Sequence, residues 1–354
     1  MQLGIIGMPS VGKTTIFELL TESRDKVHNT GKTNVAMARI PDERIDYLSQ
    51  LYKPKKTSYA QLEIVDIPGL IPGAEKAAVL FLDSVRKADA LLHVVRVFED
   101  SGIPMFNNEI NPVKDIETIN YELLLADLDL IEKRMERINN NKKKNQMLKE
   151  LSLLERLKEA VENEVPISSL EFNDEEKEIM QNYQFLTTKP IMICLNVGEG
   201  NLSHPDYPLR REVLDLAQLK KYPVVEISAS IEREIADLDG EERHIFMEEI
   251  GIEEAGIIKI SRSMYYLLGL ISFFTVGEDE VKAWTISQGD KAKKAAGKIH
   301  SDIERGFIRA EVVEYQDLKE LGNMQMVKEK GLFRLEGKEY LVMDGDIVHF
   351  RFNI

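Results

Sequence analysis

The sequence has one cysteine and one tryptophan among 354 residues, and aromatic residues make up only 7% of it. The single thiol, Cys194, excludes an intramolecular disulfide and is typical of a reducing compartment, and its apolar surroundings predict a buried strand residue. Long uncharged apolar runs are also missing, so we expect no membrane-spanning helix. The opening segment, residues 1–7, lacks a basic region and predicts a first strand rather than a signal peptide. The sequence therefore predicts a cytoplasmic protein with no membrane partner.

Positive charge is scarce, because 46 Lys and Arg residues stand against 61 Asp and Glu residues, giving a formal net charge of -15. This balance argues against a broad positive field for nucleic acid, so any polyanionic partner must be met by a local basic face. The chain is longer than one hydrophobic core usually supports, and 43% of it is hydrophobic. We therefore expect two or three domains.

Five short apolar runs predict buried strands of an open parallel sheet, the α/β arrangement in which ligands bind beyond the carboxyl ends of the strands. The runs are residues 3–6, 62–65, 90–97, 190–195 and 224–227. Between the third and fourth runs, apolar residues at alternating spacings of three and four predict two amphipathic helices. The polar segment 139–145 between them predicts the exposed tip of an antiparallel helical hairpin. Ordinary core packing is the favoured explanation of this apolar stripe, and a dedicated partner surface is the alternative.

The C-terminal part, from about Gly269, changes to alternating patterns at residues 307–315 and 339–342. A turn signal at residues 344–346 and an apolar run at 347–352 follow. These features predict a small mixed sheet.

Residues 7–14 read Gly-Met-Pro-Ser-Val-Gly-Lys-Thr and match G-x-x-x-x-G-K-[ST] between a predicted strand and a predicted helix. Glycines in such a loop let backbone N–H groups close around phosphates at a helix N-terminus, and Lys13 adds charge for the β- and γ-oxygens. Thr14 is the expected Mg²⁺ ligand. The D-x-x-G element Asp66-Ile67-Pro68-Gly69 follows a predicted strand, where Asp66 holds magnesium and Gly69 senses the γ-phosphate.

The base site differs from the guanine pattern N-K-x-D, because the strand here ends in Asn196-Val197-Gly198-Glu199. The lysine is missing and the Glu199 carboxylate lies one methylene further out, so the contact with guanine is weakened. An Asn side chain can pair with both N6 and N7 of adenine, which makes Asn196 the candidate adenine reader. Alternatively, Asn196 and Glu199 cap the following turn. Residues 228–230, Ser-Ala-Ser, either close the base pocket or begin a helix.

Together, the P-loop, the D-I-x-G element, the helical insertion, N-x-x-E and the C-terminal sheet resemble the YchF family of Obg-like ATPases. The most specific stretches are residues 115–120, 125–129, 295–302, 305–312 and 344–353. The resemblance implies a Ras-like P-loop G domain (residues 1–115 and 186–268), an inserted α-helical hairpin domain (116–185) and a small α+β TGS domain (269–354). It also implies a ribosome-associated enzyme that uses ATP with Mg²⁺, takes GTP more weakly, and acts in translation or stress control. A monomer is the default expectation for the oligomeric state.

The resemblance assigns roles by position. Thr30 matches the family's switch threonine and would join Thr14 at the metal. The candidates are, for catalysis, Lys13, Thr30 and Gly69; for metal, Thr14, Thr30 and Asp66; and for nucleotide, Ser10, Val11, Gly12, Lys13, Thr14, Thr15, Asn196, Val197, Glu199, Ser228, Ala229 and Ser230.

The chain departs from the family where mechanism is concerned. Ser10 replaces the usual P-loop Asn, which leaves any potassium dependence open, and the glycine-rich switch segment is shortened to residues 71–81. Leu70 cannot orient water, and Met105 stands where the family has a histidine for that task, so hydrolysis is expected to be slow or to use another group. His93 lies in an apolar run and is expected to be a core residue.

Four lysines in residues 291–298, followed by Arg305 and Arg309, form a candidate RNA contact, as do Lys142, Lys143 and Lys144 at the hairpin tip. A solvated helix face explains the first cluster equally well. The leading hypothesis is a nucleotide-switched, ribosome-associated ATPase. The alternatives are a GTPase with relaxed base choice, and a nucleotide-stabilised RNA- or ribosome-binding module with negligible hydrolysis.

Overall fold

The structure is a computed structural model that describes residues 1–23, 33–104, 109–142, 144–202 and 206–353. Contacts divide the chain into two compact units. The first comprises Met1–Ala36 and Glu63–Ile257, and the second comprises Met37–Leu62 and Ile258–Ile354. The predicted three-domain boundaries stay a prediction, and the grouping of Met37–Leu62 with the C-terminal residues was not anticipated.

Strands and helices are interspersed along the chain. The strands are β1 Gln2–Ile6, β2 Asn34–Arg39, β3 Lys56–Ser58, β4 Gln61–Asp66, β5 Ala90–Arg96, β6 Ile191–Asn196, β7 Val224–Ile227, β8 Leu270–Thr275, β9 Glu280–Ser287, β10 Phe307–Glu314, β11 Arg334–Glu336 and β12 Asp346–Phe352. The helices are α1 Lys13–Thr21, α2 Glu43–Tyr52, α3 Glu75–Lys87, α4 Pro112–Asn139, α5 Leu148–Glu162, α6 Asp174–Met180, α7 Arg210–Lys220, α8 Ala229–Asp237, α9 Gly240–Glu249, α10 Gly256–Leu267, α11 Ala292–Ile299, α12 Ser301–Arg305, α13 Tyr315–Leu321 and α14 Met324–Glu329.

A six-stranded sheet has the order β2-β4-β1-β5-β6-β7, and its four pairings from β4 to β7 are parallel. The strands β5 and β6 are buried along their whole length, which is why they appear in the sequence as continuous apolar runs rather than as alternating patterns. All five predicted strands are confirmed. Since the strands are parallel, the loops after β1, β4, β5, β6 and β7 leave the sheet at one edge.

The helical hairpin is also confirmed, with α4 beginning at a proline after the cap residue Asn111, whose side chain accepts from the Lys114 N–H at 3.0 Å. Its apolar core contains the residues that the spacing predicted. They include Leu124, Ile131, Ile138, Leu151, Leu154, Leu157 and Val161. At the tip, residues 140–142 are exposed as expected.

Asp127 fixes the hairpin to the chain that returns to β6. Its fully buried carboxylate accepts hydrogen bonds from the Leu186 N–H at 2.7 Å, the Thr187 N–H at 2.8 Å and the Thr187 hydroxyl at 2.7 Å. Burial raises the pKa of Asp127, and the three donors oppose that rise. A buried carboxylate is tolerated here because its oxygens have these partners.

The second unit contains a mixed sheet in the order β11-β10-β12-β8-β9-β3. The three alanines of α11 and the aromatic residues Phe273 and Phe350 are among those that form its core. The predicted turn at residues 344–346 and the strand after it are confirmed, with Gly345 at φ 95°.

The prediction of a strand at residues 339–342 was wrong. Its backbone serves the start of α11 instead, since Tyr340 O accepts from the Ala292 N–H at 2.8 Å and the Val342 N–H donates to Asp290 O at 3.1 Å. Only an isolated bridge, between Leu341 and Lys291, is formed there. The edge strand lies earlier, at β11.

Among the described residues, no helix has both the length and the apolar character that crossing a membrane requires. Cys194 is fully buried in β6, as predicted, and burial strongly raises the pKa of its thiol.

Candidate functional site

The loop between β1 and α1 has a backbone that few residue types can adopt. Gly7 has φ 147° and Gly12 has φ 99°. A Cβ at Gly7 would lie 2.3 Å from Val94 O, and a Cβ at Gly12 would lie 2.4 Å from Asn196 Nδ2. Ser10, at φ 61°, also adopts the left-handed conformation, which costs a non-glycine residue about 1–3 kcal/mol when held there. The loop ends at the N-terminus of α1, where backbone N–H groups and the helix dipole favour an anion.

Lys13 is buried at the start of α1. Its Nζ donates to Met8 O at 2.6 Å and to Gly7 O at 3.2 Å, so the side chain folds back over its own loop. Burial lowers the pKa of Lys13 to about 8, and the charge of Asp66 partly opposes the shift. The amine therefore stays protonated at neutral pH. A bound phosphate would take the place of the two carbonyl oxygens as its partner and would offer a negative charge.

Two predicted metal ligands meet at the end of β4. The Thr14 hydroxyl donates to Asp66 Oδ2 at 2.8 Å, and Asp66 is 7% exposed. Within the described ranges, no group of three or more His, Cys, Asp or Glu residues could hold a metal. Mg²⁺ fits this pair nonetheless, because it is commonly held by one or two carboxylates together with substrate phosphates and waters. The third predicted ligand, Thr30, lies outside the described residues.

The D-x-x-G element packs directly on the P-loop. A Cβ at Gly69 would lie 2.9 Å from Lys13 Nζ and 2.9 Å from Pro9 N, so this position leaves no space for a side chain. The Leu70 N–H donates to Gly7 O at 3.2 Å, and its side chain is fully buried. Leu70 therefore anchors the element and does not point a polar group at a nucleotide. The shortened switch segment enters α3 at Glu75.

Asn196 joins the two halves of the site. Its Nδ2 donates to Val11 O at 3.0 Å, and its Oδ1 accepts from the Ala229 N–H at 3.0 Å. The predicted adenine reader thus uses one donor and one acceptor of its amide to hold the P-loop beside α8. A primary amide has a second hydrogen and a second lone pair, and these are what it can offer a base. Val197 is buried and Glu199 is exposed.

The Ser228–Ser230 segment begins α8, and the two serine hydroxyls lie 2.9 Å apart. Ser228 is the cap residue, although its side chain makes no capping hydrogen bond. The segment therefore begins a helix, which was one of its two predicted roles, and Ala229 and Ser230 also line the cleft described next.

The P-loop, residues 196–199 and the start of α8 line one cleft of about 630 Å³. Of the predicted nucleotide residues it is lined by Ser10, Gly12, Lys13, Thr14, Thr15, Asn196, Val197, Glu199, Ala229 and Ser230. Six further lining residues were not among the predicted nucleotide contacts: Phe98, Glu99, Asp100, Ile103, Gly198 and Arg233. Arg233 forms an ion pair with Glu18 at 3.2 Å. The only sequence signal for the first four is their position just after a parallel strand.

His93 is a core residue, as expected. It is fully buried in β5, and neither ring nitrogen has a hydrogen-bond partner among the described residues. Burial lowers the pKa of His93 to about 3, and the charge of Lys13 acts in the same direction. His93 is therefore neutral and out of contact with solvent, which excludes it as the water-activating residue. Met105 lies outside the described residues.

The candidate RNA-binding lysines of α11 are exposed, while its alanines are buried. Lys294 forms an ion pair with Asp290 at 2.8 Å, and Lys291 is paired with Glu339. Part of the positive charge is therefore balanced by neighbouring carboxylates, as the composition of the region suggested. Of the tip lysines, Lys142 is exposed. Lys143 lies outside the described residues.

Comparison with known proteins finds two domain families in the chain. A family model described as 50S ribosome-binding GTPase matches residues 2–151. A second, YchF-GTPase_C, described as a protein of unknown function, matches residues 270–353.

Full-length relatives match over the whole chain. The sequence is 44% identical to the ribosome-binding ATPase YchF of Bacillus subtilis and 41% identical to that of Escherichia coli O157:H7, covering 99% of this chain and 99% of each relative. Among solved structures it resembles the Schizosaccharomyces pombe YchF GTPase, with a TM-score of 0.89 and 31% identity over 99% of this chain and 97% of the other.

Proposed function

The chain belongs to the YchF family, and we propose that it is a ribosome-associated ATPase that binds ATP with Mg²⁺ and hydrolyses it slowly. GTP is the weaker substrate, and the protein acts as a nucleotide-dependent regulator in translation or stress response. Its relatives are named both as an ATPase and as a GTPase, so family membership alone does not decide the choice of base.

The observation that carries the proposal is the meeting of Lys13, Thr14, Asp66 and Gly69 at one end of a cleft whose other end is formed by residues 196–199. Lys13 binds the β- and γ-phosphates, and the backbone N–H groups of residues 10–15 surround them. Thr14 and Asp66 would hold Mg²⁺ together with Thr30, and the metal would neutralise charge that develops on the phosphate oxygens.

The base end of the cleft favours adenine because it lacks the lysine and the aspartate of the guanine pattern. Position 197 has no lysine, and the carboxylate at 199 is exposed on a longer side chain than the aspartate of the guanine pattern. Asn196 offers its remaining N–H and lone pair to the base, while Val197 supplies an apolar contact. Ser228, Ala229 and Ser230 close the pocket beside them.

Slow turnover follows from the absence of a water-orienting side chain at the two expected positions. Leu70 is apolar and buried, and His93 is neutral and enclosed. Met105 is a thioether, which is a weak acceptor and no base. In this account Lys13 and the Gly69 N–H stabilise charge on the transferring phosphoryl group, and neither Leu70 nor Met105 supplies a general base for the attacking water.

Ribosome association rests on family membership. We propose an RNA-binding TGS fold for the C-terminal residues, with the exposed lysines of α11 as contacts.

The experiment measures single-turnover hydrolysis of ATP and of GTP by the wild type and Lys13→Ala, with and without ribosomes, and co-sedimentation with ribosomes in the same buffers. We expect ATP turnover above that of free ATP, lost in Lys13→Ala, and nucleotide-dependent co-sedimentation.

The alternatives give different results in that assay. Faster turnover of GTP than of ATP identifies a GTPase with relaxed base choice. Turnover of bound ATP no faster than that of free ATP, with ribosomes present and co-sedimentation intact, identifies a nucleotide-stabilised binding module.

A further inference from the structure

Arg96, the last residue of β5, is a buried cation that holds the loop behind one wall of the nucleotide cleft. The residue is 6% exposed, and its guanidinium donates to four backbone carbonyl oxygens. These are Phe98 O at 3.1 Å, Asp100 O at 3.2 Å, Ile103 O at 3.3 Å and Pro104 O at 3.3 Å. Its Cζ also lies 4.4 Å from the centroid of the Phe98 ring. One side chain thus fixes both ends and the middle of the segment from residue 98 to residue 104.

The segment has little order of its own. Residues 97–104 form neither helix nor strand. Local hydrogen bonds run from the Ile103 N–H to Asp100 O at 3.3 Å and from the Gly102 N–H to Asp100 Oδ1 at 2.7 Å. A planar guanidinium presents five N–H donors in a fixed fork, so it sets the relative positions of several carbonyl groups at once. A lysine ammonium, as a point donor, does not.

The same segment lines the cleft through Phe98, Glu99, Asp100 and Ile103. Phe98 also borders the base-binding loop, since its Cβ is 3.7 Å from where a Cβ at Gly198 would lie. A shift of Phe98 therefore changes the width of the cleft beside residues 196–199. Arg96 itself does not line the cleft, so its effect on a nucleotide passes through Phe98 and the segment 98–104.

We infer that Arg96 is a positioning residue for nucleotide binding, which holds Phe98 and the 98–104 wall against the base-binding loop. The inference rests on the proposed function. The wall borders the base end of the cleft, whereas Lys13 lies at the phosphate end. Loss of the guanidinium therefore lowers the binding affinities for ATP and for ADP by the same factor. The ATP-to-ADP affinity ratio therefore stays constant while both affinities fall.

The test compares Arg96→Lys with the wild type and with the control Arg134→Lys. Arg134 lies in the hairpin, where its guanidinium donates to Glu150 at 2.8 and 3.0 Å, and it does not line the cleft. Calorimetry with Mg²⁺ gives the Kd for ATP and for ADP, and thermal unfolding without nucleotide reports stability. We expect Arg96→Lys to raise both Kd values about tenfold, the loss of about 1.4 kcal/mol. Arg134→Lys leaves both within twofold.

Phe98→Leu provides the second variant, which changes the same wall while keeping Arg96 and its backbone hydrogen-bond acceptors, and it decides the question if Arg96→Lys does not fold. As a single substitution, it is expected to weaken the binding of both nucleotides. In the Arg96→Lys background it should weaken their binding by a smaller factor, because the two substitutions affect the same wall. A lower unfolding temperature with unchanged Kd values in Arg96→Lys would show a structural role only and overturn the inference, as would an unchanged Kd in Phe98→Leu. Wild-type protein that binds neither nucleotide overturns the proposed function and the inference together.

Discussion

Replacing His93 with leucine should stabilise the first unit, and more strongly in acid than at neutral pH. The imidazole is fully buried, its two nitrogens have no hydrogen-bond partner in the described part of the chain, and its pKa of about 3 is far below the ordinary value of 6.5. Leucine is close to histidine in size and has no polar atoms. Removing a buried unsatisfied polar group recovers about 1–3 kcal/mol, less any loss from imperfect packing of the new side chain.

The pH dependence has a definite sign. The folded protein keeps His93 neutral down to about pH 3, whereas the unfolded chain binds a proton below pH 6.5. The unfolded state therefore gains protons as pH falls through this window, and stability present above pH 6.5 is lost on the way to pH 3. Between pH 7 and pH 5 the loss attributable to His93 is about 2 kcal/mol, from 1.36 kcal/mol per pH unit.

The assay is thermal unfolding at pH 7 and pH 5, followed by circular dichroism, for the wild type, His93→Leu and the exposed control His244→Leu. A difference of about 2 kcal/mol corresponds to about 4–8 °C for a unit of this size. We expect the gap between His93→Leu and the wild type to widen by that amount at pH 5, with no such change for His244→Leu. Equal gaps at the two pH values would refute the reasoning, because they would mean that the folded protein can protonate His93 or that it titrates in neither state.

Three other substitutions test the site and its support. Lys13→Met removes the charge that binds the phosphates, so ATP should no longer stabilise the variant against thermal unfolding. At an ATP concentration one hundred times its Kd, the wild type should be stabilised by about 2.7 kcal/mol. A comparable stabilisation of the variant would contradict this role of Lys13. Asp127→Ala leaves two buried N–H groups and a hydroxyl without their acceptor and should cost about 3 kcal/mol in urea unfolding, whereas Asp129→Ala, on the exposed side of the same helix, should cost less than about 0.5 kcal/mol; equal costs would contradict the account. Gly12→Ala places a methyl group against Asn196 Nδ2 and should abolish ATP binding with the fold retained, as judged by circular dichroism; binding within twofold of the wild type would be inconsistent with the close approach.

The parallel sheet and the P-loop could be predicted from the sequence because each depends on local patterns. Continuous apolar runs mark strands buried on both faces, and β5 and β6 are buried throughout. The P-loop is a contiguous motif whose glycines meet a backbone requirement at φ 147° and 99°. The hairpin followed from helical spacing alone, since a stripe of apolar residues on each helix must be buried against the other.

What the sequence left hidden depends on contacts between distant residues. The amide of Asn196 pairs with Val11 O and the Ala229 N–H, 185 and 33 positions away, and no local pattern announces that arrangement. The segment 98–104 has no motif, and its place in the cleft depends on the buried guanidinium of Arg96. Similarly, β3 pairs with β9 more than 200 positions along the chain, although nothing in residues 56–58 specifies that partner.

The central claim is the preference for adenine at the base end of the cleft. Calorimetry with ATP and GTP in parallel, in the presence of Mg²⁺, tests it on the wild type and on Glu199→Asp, which restores the aspartate of the guanine pattern at an exposed position. We predict that the wild type binds ATP about tenfold more tightly than GTP, equivalent to about 1.4 kcal/mol, and that Glu199→Asp narrows the ratio. Tighter binding of GTP than of ATP by the wild type would contradict the account.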